Sequence, residues 1–223
     1  MRRALRENSL SIVFLALFAL ALAGQAVAGR NAFNDTAAEH GEEAISFGRY
    51  LTSSSFGQAV LENWQSEYLQ FTLYILLTVW FVQRGSPESK APGKEGGRSD
   101  EQELLGTHAP PDAPRAARTG GLRTRLYSNS LVLLMATIWL LSWFGQSVTG
   151  WSEFNSGQLS HDGATVNWLG YLGTSDFWEA TLQNWQSEFL AVGSMAVFSI
   201  YLRQRGSPES KPVGAPHSST DGS

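Results

Sequence analysis

Four apolar blocks interrupt an otherwise polar chain, and they form two matched pairs. Residues 10–29 and 131–150 carry no charged side chain. Each block is about 20 residues, enough to cross the roughly 30 Å hydrocarbon core of a bilayer as a helix. The second block of each pair is shorter, with uncharged stretches at 68–82 and 189–202. Extended back to Trp64 and Trp185, these also reach a spanning length, with the indoles at headgroup level as interfacial anchors. The pattern predicts helices over about 9–28, 56–83, 130–149 and 177–204, and hence an all-α membrane protein with four transmembrane helices.

The pairs are copies. Asn63-Trp64-Gln65-Ser66-Glu67 recurs as Asn184-Trp185-Gln186-Ser187-Glu188, a shift of 184 − 63 = 121. Gln83-Arg84-Gly85-Ser86-Pro87-Glu88-Ser89-Lys90 recurs at 204–211 with the same shift. Asn8-Ser9-Leu10 and Gly24-Gln25 match Asn129-Ser130-Leu131 and Gly145-Gln146. The chain divides into a first repeat (1–90), a linker (91–121), a second repeat (122–211) and a tail (212–223). The linker mixes Pro, Gly and both charge signs, and the tail is rich in Pro, Gly and Ser, the compositions of disordered cytoplasmic segments.

Averages conceal this layout. The 223 residues have a mean hydropathy of −0.15 and a net charge of −4, values of an ordinary soluble protein. The distribution of cations sets the topology. With four spans, all of the 16 Lys and Arg except Arg30 and Arg49 fall on the side of the termini and linker. That side is therefore expected to be cytoplasmic, and the loops at about 30–55 and 151–176 to face outward. Each repeat holds two spans, so both insert in the same orientation. They are parallel repeats related by a pseudo-twofold along the membrane normal, unlike the inverted repeats of many transporters. The absence of cysteine excludes disulfides, thiol nucleophiles and thiolate-ligated metals.

Residues 1–28 imitate a secretory signal, with Arg2, Arg3 and Arg6, an apolar stretch and Ala26-Val27-Ala28. The second copy has the same layout within the chain, where no signal peptide can be, so the first block is expected to be a retained helix. Ser55-x-x-Gln58 and Asp176-x-x-Glu179 read as capping boxes before the second helix of each repeat. Arg84-Gly85-x-Pro87 and Arg205-Gly206-x-Pro208 read as stop signals after it, with glycine at C′. That reading does not explain why the whole octapeptide is retained.

Identity between the copies is uneven, and this selects the candidate residues. No position in 70–82 matches 191–203, although nearly all remain apolar, whereas the Asn-Trp-Gln-Ser-Glu pentad is intact. Lipid requires only hydrophobicity, so the pentad answers to something more specific. Gln25 and Gln146 are expected at the outer ends of the first helices, and Asn63, Glu67, Asn184 and Glu188 at those of the second. Asn63 and Glu67 share a helix face at i,i+4. Two roles are open for this polar cluster: interhelical hydrogen bonding, and a substrate or ion site. His40 and His161 also coincide under the shift, with carboxylates nearby, and could bind a metal if the pseudo-twofold brings them together. Their local patterns differ, so they are weak candidates and no metal or other cofactor is expected. No phosphate loop, nucleophile elbow, His-Glu-x-x-His or aromatic-interleaved basic patch is present, so nucleic acid is not an expected partner.

In its duplicated Asn-Trp-Gln-Ser-Glu and Gln-Arg-Gly-Ser-Pro-Glu-Ser motifs, the chain resembles a family of small bacterial integral membrane proteins of unknown function. The resemblance covers the chain apart from linker and tail, and implies a bacterial plasma-membrane protein without supplying an activity. The expectation is a non-enzymatic, multi-pass structural or interaction protein with no catalytic residues, embedded in the bilayer and able to self-associate. One alternative is a small-solute or ion conduit using Glu67 and Glu188. Another is an extracytoplasmic metal-dependent enzyme.

Overall fold

Loss of apolarity does not end the first helix of either repeat. In a computed structural model describing residues 2–220, that helix runs from Ser9 to Glu39 and its counterpart from Ser130 to Ser160. The ends expected at 28 and 149 are therefore corrected outward. Residues 30–39 contain no proline or glycine and include good helix formers, so nothing stops propagation until Gly41. At 31 residues each, these helices are about 46 Å long, so roughly a third of each exceeds the thickness of a hydrocarbon core.

Both end in the same Schellman turn. Glu42 N–H donates to Ala37 O (2.8 Å) and Gly41 N–H to Ala38 O (3.2 Å). In the second copy Gly163 donates to Gln158 O (2.7 Å) and Asp162 to Leu159 O (3.3 Å). The left-handed C′ position is filled by Gly41 (φ 72°) in one and by Asp162 (φ 56°) in the other. His40 and His161 are thereby the C-cap residues.

The described elements are α1 (Arg2–Glu7), α2 (Ser9–Glu39), α3 (Phe47–Leu51), α4 (Ser54–Trp80), α5 (Arg115–Arg118), α6 (Gly121–Ser128), α7 (Ser130–Ser160), α8 (Trp168–Tyr171) and α9 (Ser175–Tyr201). A 3₁₀ turn, Gly106–His108, precedes α5, and no strand occurs among the described residues. Met1 and residues 221–223, the end of the expected tail, lie outside the described residues.

The second helices begin earlier than expected. Ser53 Oγ accepts from Phe56 N–H (3.2 Å) and Thr174 Oγ1 from Phe177 N–H (3.3 Å). The N-caps are therefore Ser53 and Thr174, two residues before the proposed Ser55 and Asp176, and again 121 apart. Asp176 lies in the first turn of α9, where its charge complements the helix dipole. The helices also end sooner, at Trp80 and Tyr201. Gly85 (φ 88°) and Gly206 (φ 86°) are not C′ residues but the third positions of separate turns. Those turns are closed by Ser86 N–H to Gln83 O (3.1 Å) and Ser207 N–H to Gln204 O (3.2 Å).

The contacts divide the chain into two units. One comprises Met1–Val60 and Gly145–Tyr171, the other Leu61–Phe144 and Leu172–Ser223. In the first unit, the segments after α2 and α7 fold back on them in the same way. Asn34 grips the backbone of Ile45 through Ile45 N–H to Oδ1 (2.8 Å) and Nδ2–H to Ile45 O (3.2 Å). Asn155 grips Val166 identically (2.9 and 2.9 Å). The same carbonyls take a second donor, Arg30 Nε in one copy and Trp151 Nε1 in the other. Tyr50 and Tyr171 then bring their hydroxyl ends against Gly29 and Gly150. A Cβ at those glycines would lie 2.2 and 2.4 Å from the hydroxyls.

Candidate functional site

The first unit contains an open cavity of about 610 Å³, lined among others by His40, Glu42, Tyr50, Glu153, Ser160 and His161. The Schellman turns place the two histidines there, with ring centroids 6.0 Å apart and planes at 73°. Each ring nitrogen Nδ1 lies 2.9 Å from the carbonyl four residues back, Thr36 O and Gly157 O. A carbonyl can only accept, so Nδ1 carries a proton in both rings, and in a neutral ring Nε2 is left as the basic nitrogen. Ser54 Oγ donates to Glu153 Oε2 (2.9 Å). Burial, with the Glu153 charge second, raises the pKa of the Tyr50 phenol above its usual 10.0. No group of three or more His, Asp or Glu side chains capable of holding a metal occurs among the described residues.

The pentads lie in the second unit. Gln65 is completely buried, and its Oε1 accepts from Trp185 Nε1 at 2.7 Å. Trp185, expected as an interfacial anchor, thus gives its indole N–H to the other pentad. Ser66 and Ser187 each bond the carbonyl three residues back, Asn63 O (2.9 Å) and Asn184 O (2.8 Å). Asn184 Nδ2 donates to Ala180 O (2.8 Å). Sequence comparison had selected the i,i+4 pair Asn63 and Glu67. The position it passed over, Gln65, makes the bond between copies, and its burial was the missing signal. Gln25 and Gln146 belong to the first unit, where Gln146 is buried.

Burial in the second unit runs opposite to that of a water-soluble bundle. On α4 the buried stripe is Gln65, Ser66, Leu69 and Thr72, while Phe71, Leu76, Leu77 and Trp80 are exposed. On α9 the buried residues are Phe177, Thr181, Ser199 and Ile200, while Leu190, Phe198 and Tyr201 are exposed. Water drives apolar side chains inward. Lipid does not, and small or polar residues are then favoured between helices.

The retained octapeptide now has a structural reason. Ser89 Oγ accepts from Gln83 N–H (2.7 Å) and Ser86 Oγ from Glu88 N–H (3.3 Å). Ser210 and Ser207 repeat both bonds (2.9 and 3.2 Å). The final lysines gather carbonyls: Lys90 Nζ reaches Val79 O and Gly96 O, and Lys211 Nζ reaches Gly85 O (2.5 Å), His217 O and Ser219 O (3.0 Å each). Burial, followed by the Arg203 charge, pulls the Lys211 pKa down. The segment after it, read from composition as a loose tail, wraps this ammonium through residue 219.

These features define an all-helical protein with polar side chains turned inward. Two of its helices, α2 and α7, are long and apolar enough to cross a membrane. The chain belongs to the family described as Domain of unknown function (DUF6766), whose model matches residues 1–222. No curated protein and no solved structure matches it.

Proposed function

We propose that this chain is a four-span, multi-pass protein of the bacterial plasma membrane. It acts as a non-enzymatic structural or interaction element, with the folded segments after α2 and α7 on the outer face. The observation that carries this reading is the inverted burial: Leu10 (72% exposed), Leu20 (71%) and Leu190 (65%) on the surface, Gln65 and Thr181 (0%) inside. Buried polar groups of this kind hold membrane helices together, at about 0.6 kcal/mol per hydrogen bond.

The four-span count is supported by parity. α2 and α7 both pass the length and hydropathy test, and their C-terminal ends meet through His40 and His161. If both cross, those ends share one side, so the chain between them must cross back. The only long helix between them is α4, whose 27 residues reach about 40 Å. The ends of α4 and α9 are likewise joined, through Ser86 and Ser199 Oγ (3.5 Å) and through Lys211. The cations that follow these ends support a cytoplasmic placement for them. Membranes from expressing cells washed in alkaline carbonate test integration. The account expects the chain to stay in the pellet and is wrong if it is released.

A second reading, a small-solute or ion conduit, would use the carboxylates Glu67 and Glu188, one from each pentad. Flux into liposomes that the Glu67→Gln, Glu188→Gln protein abolishes would support it. Equal flux from both proteins would remove it.

A further inference from the structure

We propose that His40 and His161 form a binding site for a divalent transition-metal ion of the zinc or copper class, clipping together the C-terminal ends of α2 and α7. Three independent features converge there. First, the ligands are prepared. Each Nδ1–H is fixed on a backbone carbonyl at 2.9 Å, the outer-sphere bond that metal-bound histidines typically make. Among the described residues neither Nε2 has a protein partner, so both lone pairs are available.

Second, the separation fits. A metal at about 2.0–2.1 Å from Nε2 lies roughly 3.2 Å from the ring centroid. Two rings on one ion are then about 5.2 Å apart at the tetrahedral angle and about 6.4 Å apart when linear, a range that includes the observed 6.0 Å. Third, the electrostatics favour a cation. The histidines cap two 31-residue helices, whose C-terminal carbonyl ends carry partial negative charge. Glu42 and Glu153 line the same cavity, and no lysine or arginine does.

The protein supplies two nitrogen ligands, leaving the other positions to water. Such a site exchanges its metal and is open to a further ligand. The site lies wholly within the first unit and does not depend on the number of membrane spans.

The test uses the full chain in detergent. Zn²⁺ is titrated against a chromophoric chelator, and Cu²⁺ is followed by electron paramagnetic resonance. The expected result is one metal per chain, with copper coupled to two imidazole nitrogens. Affinity should fall at least about tenfold in both His40→Asn and His161→Asn, and remain unchanged in the His108→Asn, His217→Asn protein. No retained metal, unaltered affinity in either single variant, or loss on removing His108 and His217 overturns the proposal. If a variant does not fold, the wild-type copper spectrum decides. Anything other than two-nitrogen coupling rejects the site.

Discussion

Asn34 and Asn155 show how one side chain can fold a loop. Each binds both the N–H and the C=O of a single distant residue, Ile45 or Val166. Truncating Asn34 to alanine strands the Ile45 N–H, at about 1–3 kcal/mol, while the Ile45 carbonyl keeps its bond from Arg30. Hydrogen exchange at the Ile45 amide should accelerate roughly tenfold or more, and Asn155→Ala should do the same at Val166. Asp162 occupies a left-handed position that its counterpart Gly41 adopts freely. Asp162→Gly should therefore stabilise the turn by about 0.5–1 kcal/mol in thermal denaturation. Tyr50 supplies a pH dependence. Its folded pKa is raised above 10.0 by burial and by Glu153, so the unfolded chain loses that proton first. The contribution is fully present below about pH 10 and is lost as pH rises through the folded value. The stability advantage of wild type over Tyr50→Phe should be constant to about pH 10 and then shrink. Little of this was legible in the sequence. Asn34, Phe33 and Tyr50 do match Asn155, Phe154 and Tyr171 under the shift of 121. They are scattered among diverged neighbours, so the loops looked unrelated until the hydrogen bonds connected them.

Elements were legible in kind but not in extent. The apolar blocks announced α2, α4, α7 and α9, because hydrophobic length is a property of composition. Their ends depend on backbone chemistry instead. Helix α2 continues to Glu39 because only Gly41 can reverse it, and α4 stops at Trp80, before the Arg-Gly-x-Pro signal. The retained octapeptide proved to be a closed turn whose serines cap its own backbone. Removing one cap leaves the Gln83 or Gln204 N–H without its partner, at about 1 kcal/mol. Ser89→Ala should make tryptic cleavage after Arg84 several-fold faster, and Ser210→Ala cleavage after Arg205. Unchanged rates would mean that the turn is held by its surroundings.

For the whole molecule, the sequence indicated a duplication and concentrated hydrophobicity, but not which face of each helix turns inward. Residues 70–82 and 191–203 share no identity, yet α4 and α9 both bury polar side chains beside a few apolar ones and expose several large apolar ones. This inversion, and the meeting of α2 and α7 at His40 and His161, carry the four-span account. The absence of cysteine makes its topology directly measurable. Single cysteines at Glu39, Ser99 and Ser160 should be probed in intact cells with a membrane-impermeant maleimide. The account predicts labelling of Glu39→Cys and Ser160→Cys from outside, and of Ser99→Cys only after permeabilisation. If α2 and α7 alone crossed, positions 39 and 160 would lie on opposite sides. Labelling of one without the other in intact cells would contradict the account.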